Sequence, residues 1–186
     1  ERELRLVGSE MCIRDSNIKE IKKNLIQEIK DAKIKMISDH FVLETSLKPI
    51  KVISIIKSYD NLNLVGYGSS IEIFKQVGNP RDVVNNFSLK NFSGTHAIGH
   101  TRMATESAIT TDGSHPYSTG EDECLVHNGS LSNHNNLRRT LKKKGIEIKS
   151  QNDTEVAAGY ISNGLSNKKS LKAVSYTHLR AHETQF

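Results

Sequence analysis

The chain has 186 residues, with 26 Lys and Arg against 21 Asp and Glu, a net charge of +5 and 35% hydrophobic residues. No apolar run reaches the ~18 residues that a membrane span needs, so no membrane partner is expected. The basic residues are scattered, with a run only at Lys142 to Lys144 and no zinc-finger or aromatic RNA-binding pattern beside it, which favours a lysine-rich solvated surface over nucleic-acid binding.

The two ends stand apart from the rest. Written as codons, position n can be the reverse complement of position 189 − n for every pair from Glu3 with Phe186 to Ser16 with Ala173, and the match stops at Asn17 with Lys172. An inverted repeat of that kind is what a sequencing adapter leaves when it is translated with its insert, and the stretches Leu6 to Ser16 and Val174 to Thr184 resemble the two translated strands of a transposon-type adapter. Residues 1–16 and 173–186 are therefore expected to be passenger sequence, loosely packed, with 17–172 as the native part. Four arginines and five acids fall in these flanks, which leaves 22 basic against 16 acidic residues in 17–172 and a net charge of +6 there. Of Cys12 and Cys124 only the second lies in the native part. One cysteine forms no internal disulfide, which fits a reducing compartment, and a cytoplasmic protein is expected. The native part is one domain's worth of chain.

In chain order, Ile18, Ile21, Leu25 and Ile29 recur at spacings of three and four between charges, which predicts an amphipathic helix over 17–31. Short apolar runs over 34–37 and 41–44 are predicted strands. A second helix is expected over 46–59, with Pro49 in its first turn and Ile50, Ile53 and Ile56 on one face. Alternation over 62–67 gives a strand ending at Gly66-Tyr67-Gly68, a turn that lacks the third glycine of a nucleotide-binding loop. Helices are expected over 71–77 and 81–87, separated by the break at Gly78-Asn79-Pro80. Further on, 95–102 and 123–127 are expected strands, with a Gly, Ser and Thr-rich loop over 111–122 between them. The first of these would put His96, His100 and Arg102 on one side. A helix over 133–144 closed by Gly145, a strand over 146–148 and a helix over 153–165 complete the pattern, with Asp153 at a helix start where its carboxylate can accept backbone N–H groups. Such alternation gives a layered α/β or α+β domain.

The stretch from Ser93 to Glu155 carries the chemistry. It holds T-H-A-I-G-H-T-R-M-A-T-E-S from Thr95 to Ser107, His115-Pro116, V-H-N-G from Val126 to Gly129 and N-D-T-E from Asn152 to Glu155. Each block ends an apolar, strand-like run with a group able to orient a small polar ligand: the Arg102 guanidinium, the Asn128-Gly129 pair, the Asp153 carboxylate. Taken singly each has a plainer reading. Arg102 can pair with a surface acid, Asn128-Gly129 can be a hairpin turn and Asp153 can cap its helix. His96, His100, His115, His127 and His134 raise the question of a metal, but no H-E-x-x-H or C-x-x-C accompanies them, so no metal and no cofactor is expected.

In that order, G-H-T-R-M-A-T, V-H-N-G-S and N-D-T-E resemble the class-II glutamine amidotransferase domain, and the fuller wording is similar to the amidotransferase-like subunit of glutamate-synthase and N-methylglutamate-synthase type complexes. The resemblance covers about half of the chain, with weaker likeness upstream to about Leu64. It implies an Ntn-hydrolase αββα sandwich, here truncated, and an activity that hydrolyses glutamine through a cysteinyl thioester and supplies ammonia to a partner synthase. Glutamine is a zwitterion with an amide tail. Arg102 offers a planar fork for its α-carboxylate and Asp153 an anion for its α-ammonium. The Asn128 amide and Gly129 N–H suit the oxyanion formed on attack, at roughly 3–4 kcal/mol per donor. The resemblance assigns these same roles, with Thr105 and His127 lining the pocket.

Two departures bear on activity. The family attacks with an N-terminal cysteine whose free α-amine is the base, whereas Cys12 lies in the flank and Cys124 lies inside the chain with no free amine. Glu106 stands where many class-II members carry histidine. The chain as written is therefore expected to be inactive. Two other functions fit the residues less fully: a catalytically dead Ntn-fold subunit that binds glutamine or a partner, and a metal-dependent hydrolase using the histidines.

Overall fold

The helix expected from Ile21, Leu25 and Ile29 is α1, Asp15–Glu28, in a computed structural model that describes residues 4–10, 15–60, 62–101 and 109–178. The chain divides into two units, Glu1–Ala97 and Ile98–Phe186. In the first, the short apolar runs form β2 (Lys33–Ile37) and β3 (His40–Thr45), joined by a tight turn and antiparallel from Lys33 opposite Glu44 to Ile37 opposite His40. Helix α2 (Pro49–Ile56) starts on its proline, and β4 (Leu62–Gly68) follows. Leu25 from the first helix and Ile29 just beyond its end, Val52 and Ile56 from the second, Phe41 and Leu43 from β3 and Leu62 from β4 pack as one apolar cluster. Each such side chain removed from water contributes about 1.5–3 kcal/mol. The buried face of α2 is thus Val52 and Ile56, and Ile50, expected on that face, is 76% exposed.

His40 points to the opposite side of β3 from Phe41 by strand alternation, and there it lies edge-on to Phe87 at 4.8 Å, with Phe74 at 6.1 Å. The segment 71–77 that carries Phe74 is not the expected helix; it has no regular structure. Its pattern explains this. Ile73 and Lys75 are both buried two residues apart, a spacing that extended chain satisfies and a helix does not, and Ile71, Ile73 and Val77 are β-branched. The helix after the break, α3 (Pro80–Asn86), is as expected, with the Asn79 side chain accepting the Arg81 N–H at 2.9 Å and Pro80 in the first turn.

The flanks are not loosely packed throughout. Leu4–Glu10 is a strand, β1, lying inside the sheet, whose order is β2-β3-β1-β4. It runs antiparallel to β3, Leu4 opposite Thr45 to Ser9 opposite His40, and antiparallel to β4, with a shift in register between Val7 and Gly8. Pairing depends on backbone donors and acceptors and on an extended, alternating pattern, not on the origin of a segment. At the other end Val174, also in a flank, is buried to 2% exposure.

The second unit holds α4 (His134–Lys143), α5 (Asp153–Ser166) and α6 (Leu171–His178). Leu137 and Leu141 of α4 pack with Leu131 against Val156 and Ala157 of α5. Gly145, at φ +77°, closes α4 as expected. The strands expected over 123–127 and 146–148, and over the described part of 95–102, are absent. A strand needs an edge to pair with, and between described residues of this stretch the backbone pairing is a bridge, Tyr117 with Leu125, at 3.0 and 2.8 Å. Ile146 and Ile148 are spent on packing against the α4–α5 core. The fold is α+β, with one small antiparallel sheet among the described residues. Among these residues no helix is long and apolar enough to cross a membrane.

Candidate functional site

The N-terminus of α5 has four orphan N–H groups to satisfy. Asn152 takes the capping position, its side chain accepting the Thr154 N–H at 2.8 Å. The carboxylate of Asp153, expected in that role, is thereby released for other work. One oxygen accepts the Leu131 N–H at 2.6 Å, and the other faces the Thr154 hydroxyl at 3.5 Å. Glu155, one residue beyond, accepts the Lys149 and Ser150 N–H groups at 2.9 and 2.6 Å. Two carboxylates in the first turn are favoured by the helix dipole, and each ties a separate loop to it.

The loop that Asp153 holds is the one that carries Asn128 and Gly129. Leu131 is buried and follows Gly129 by two residues, while Asn128 and Gly129 are exposed. Among the described residues neither the Asn128 amide nor the Gly129 N–H is engaged. A Cβ on Gly129 would lie 2.9 Å from the His127 ring nitrogen Nε2, so the absent side chain lets the turn close over that ring. The Leu131 N–H bond thus ties the Asp153 carboxylate to the loop two residues beyond Gly129, although the two are set apart in sequence. Arg102 and Thr105 lie outside the described residues.

Behind α5 the ring of His115 is 7% exposed, and its Nε2 is 3.0 Å from the Thr154 hydroxyl. His100 stacks on it at 4.1 Å, and Tyr117 meets it edge-on at 5.2 Å. His96 and His134 serve locally: His96 bonds Thr95 and His134 bonds the Leu131 carbonyl. No group of three metal-ligating side chains occurs among the described residues.

The pattern of a glutamine amidotransferase domain matches residues 87–174. Residues 87–174 belong to the class-II glutamine amidotransferase domain family. The chain is 59% identical over 111 residues to the glutamine amidotransferase-like protein GlxB of Rhizobium meliloti, covering 60% of this chain and 37% of that one. It is 34% identical over 130 residues to a putative glutamine amidotransferase of Methanothermobacter thermautotrophicus, covering 69% and 42%. It is 31% identical over 121 residues to the isomerizing glutamine–fructose-6-phosphate aminotransferase of Methanococcus maripaludis, covering 64% and 20%. The chain spans less than half the length of these relatives.

Within the amidotransferase domain Cys124 is half-buried, and burial pushes its thiol pKa up. A thiol held in its protonated form is a poor nucleophile, which agrees with its place inside the chain. Thr154, which the sequence reading did not single out, joins His115 to Asp153. Its position inside the N-D-T-E block was the signal that could have found it.

Proposed function

We propose that this domain binds glutamine as the ammonia-yielding half of a larger synthase. In this reading Asp153 holds the α-ammonium, Arg102 pairs with the α-carboxylate, Thr105 and His127 line the pocket, and Asn128 with the Gly129 N–H receives the oxyanion. A cysteine thiolate attacks the amide carbon, ammonia leaves as the C–N bond breaks, and water cleaves the thioester to glutamate. The ammonia passes to a synthase subunit or domain. The observation that supports the reading is the Leu131 N–H bond to Asp153, which ties this carboxylate to the loop that carries Asn128 and Gly129. Cys124, the free cysteine among the described residues, lies inside the chain and has no free α-amine to act as base, so in this reading the chain binds glutamine without turnover. A dead glutamine-binding subunit is the second reading, favoured by the raised pKa of Cys124. Calorimetry with glutamine tests the binding: micromolar to millimolar affinity, retained in Cys124→Ala and accompanied by no ammonia release, is the expected result. No heat with glutamine at tens of millimolar would remove the assignment. Joining an upstream segment that begins with cysteine separates the two readings, since only the enzyme gains ammonia release.

A further inference from the structure

A threonine hydroxyl carries one proton and can donate once. Thr154, 1% exposed, faces two groups: Nε2 of His115 at 3.0 Å and the Asp153 carboxylate oxygen Oδ1 at 3.5 Å. An ionised carboxylate only accepts, so the arrangement that satisfies both contacts puts the threonine proton on Asp153 and a proton on His115 Nε2. The ring is fixed for this by its stack on His100 and by Tyr117, whose hydroxyl donates to the Gly113 carbonyl at 2.7 Å. The other carboxylate oxygen is already fixed by Leu131.

We infer that His115 is a positioning residue for the ammonium end of the substrate: through Thr154 it orients the Asp153 carboxylate, which the Leu131 N–H holds from the other side. The inference rests on Asp153 as the ammonium-binding group. With both oxygens tethered, the carboxylate is set before glutamine arrives, and the ordering cost is met in folding rather than in binding. Neither the family pattern nor the motif reading gives His115 this role.

The test has one arm that needs no ligand. Ring-nitrogen chemical shifts of this chain at neutral to mildly alkaline pH should show His115 protonated at Nε2, and amide exchange should show the Leu131 N–H protected in the wild type and faster in Thr154→Val. An unprotonated Nε2, or unchanged Leu131 exchange in Thr154→Val, overturns the proposal. The second arm is glutamine affinity. His115→Phe and Thr154→Val should each weaken binding about tenfold, as the loss of one hydrogen bond to a charged group implies. The double variant should be no weaker than either single one, because both break the same chain of contacts. Thr154→Ser, which keeps the hydroxyl, should restore affinity to within about twofold of wild type. Additive losses, or a serine variant as weak as valine, would assign His115 to packing alone. If wild-type chain binds no glutamine, the proposed function fails, and the tautomer and exchange data still decide this inference.

Discussion

Asp153 shows how much one side chain decides here. It can serve as a helix cap, as a tether for the 128–131 turn or as an anion for a substrate, and Asn152 removes the first of these by capping α5 itself. Replacement by asparagine keeps an oxygen for the Leu131 N–H and loses the charge. Asp153→Asn should therefore weaken glutamine binding by about 10–100-fold, the worth of a charge-assisted bond, with little change in denaturation midpoint. Asp153→Ala removes the acceptor too and leaves a buried N–H unsatisfied, so it should in addition cost about 1–3 kcal/mol in urea unfolding. Equal glutamine affinity in wild type and the asparagine variant would take the ammonium role away from this carboxylate.

At the scale of elements, α5 is the organising piece of its unit, and its glycines are where neighbours come close. A Cβ on Gly159 would meet Ile148 Cδ1 at 2.8 Å, and one on Gly164 would collide with Val174 Cγ2. Alanine in a helix interior normally gains about 1 kcal/mol over glycine. Val174 is buried and, being β-branched, has few rotamers to retreat into, so Gly164→Ala should instead destabilise by about 1–3 kcal/mol. Adding Val174→Ala should recover part of that loss, a non-additivity that chemical denaturation of the four variants would measure. The sheet gives the parallel case. Deleting residues 1–10 removes β1 and leaves β3 and β4 with unpaired edges, a known route to aggregation. The shortened chain should form larger species in light scattering, and a monodisperse product would show that the two strands close on each other without it.

Each unit of the whole molecule has its own core, and acid should distinguish them. His40 is buried without exposure, Nδ1 bonded to Asp39 at 2.8 Å and Nε2 accepting the Lys75 N–H. Burial lowers its pKa below the usual 6.5, against the opposing pull of Asp39. The unfolded chain then binds more protons than the folded one as pH falls below 6.5, so stability is lost on acidification, by at most about 1.4 kcal/mol per pH unit for one group. Asp31, bonded by the Ser46 hydroxyl, the Thr45 hydroxyl and the Ser46 N–H, is held at about 2. Its contribution is present above the ordinary 3.8 and fades as pH falls towards 2. Both groups lie in the first unit, His40 acting below pH 6.5 and Asp31 only below about 3.8, so amide exchange between pH 7 and 4 should loosen that unit before the second through His40, and His40→Phe should flatten the dependence in that range.

What the sequence settled by itself was local or chemical. Spacing of three and four gave α1. Pro49 marked a helix start, Gly78-Asn79-Pro80 a break and Gly145 a helix stop, because φ restrictions act within a residue or two. The ordered blocks around Arg102, Asn128 and Asp153 gave the family, since the chemistry of a small zwitterion dictates residue types wherever they fall in the chain. Tertiary structure decided the rest. Whether 71–77, the described part of 95–102, 123–127 and 146–148 formed regular structure depended on partners far away in sequence, and their apolar patterns fit several outcomes until packing chose one. The same holds for the flank that entered the sheet through its backbone, and for Thr154. Its neighbours in sequence say nothing of His115, 39 positions away, and only the folded chain brings that ring to its hydroxyl.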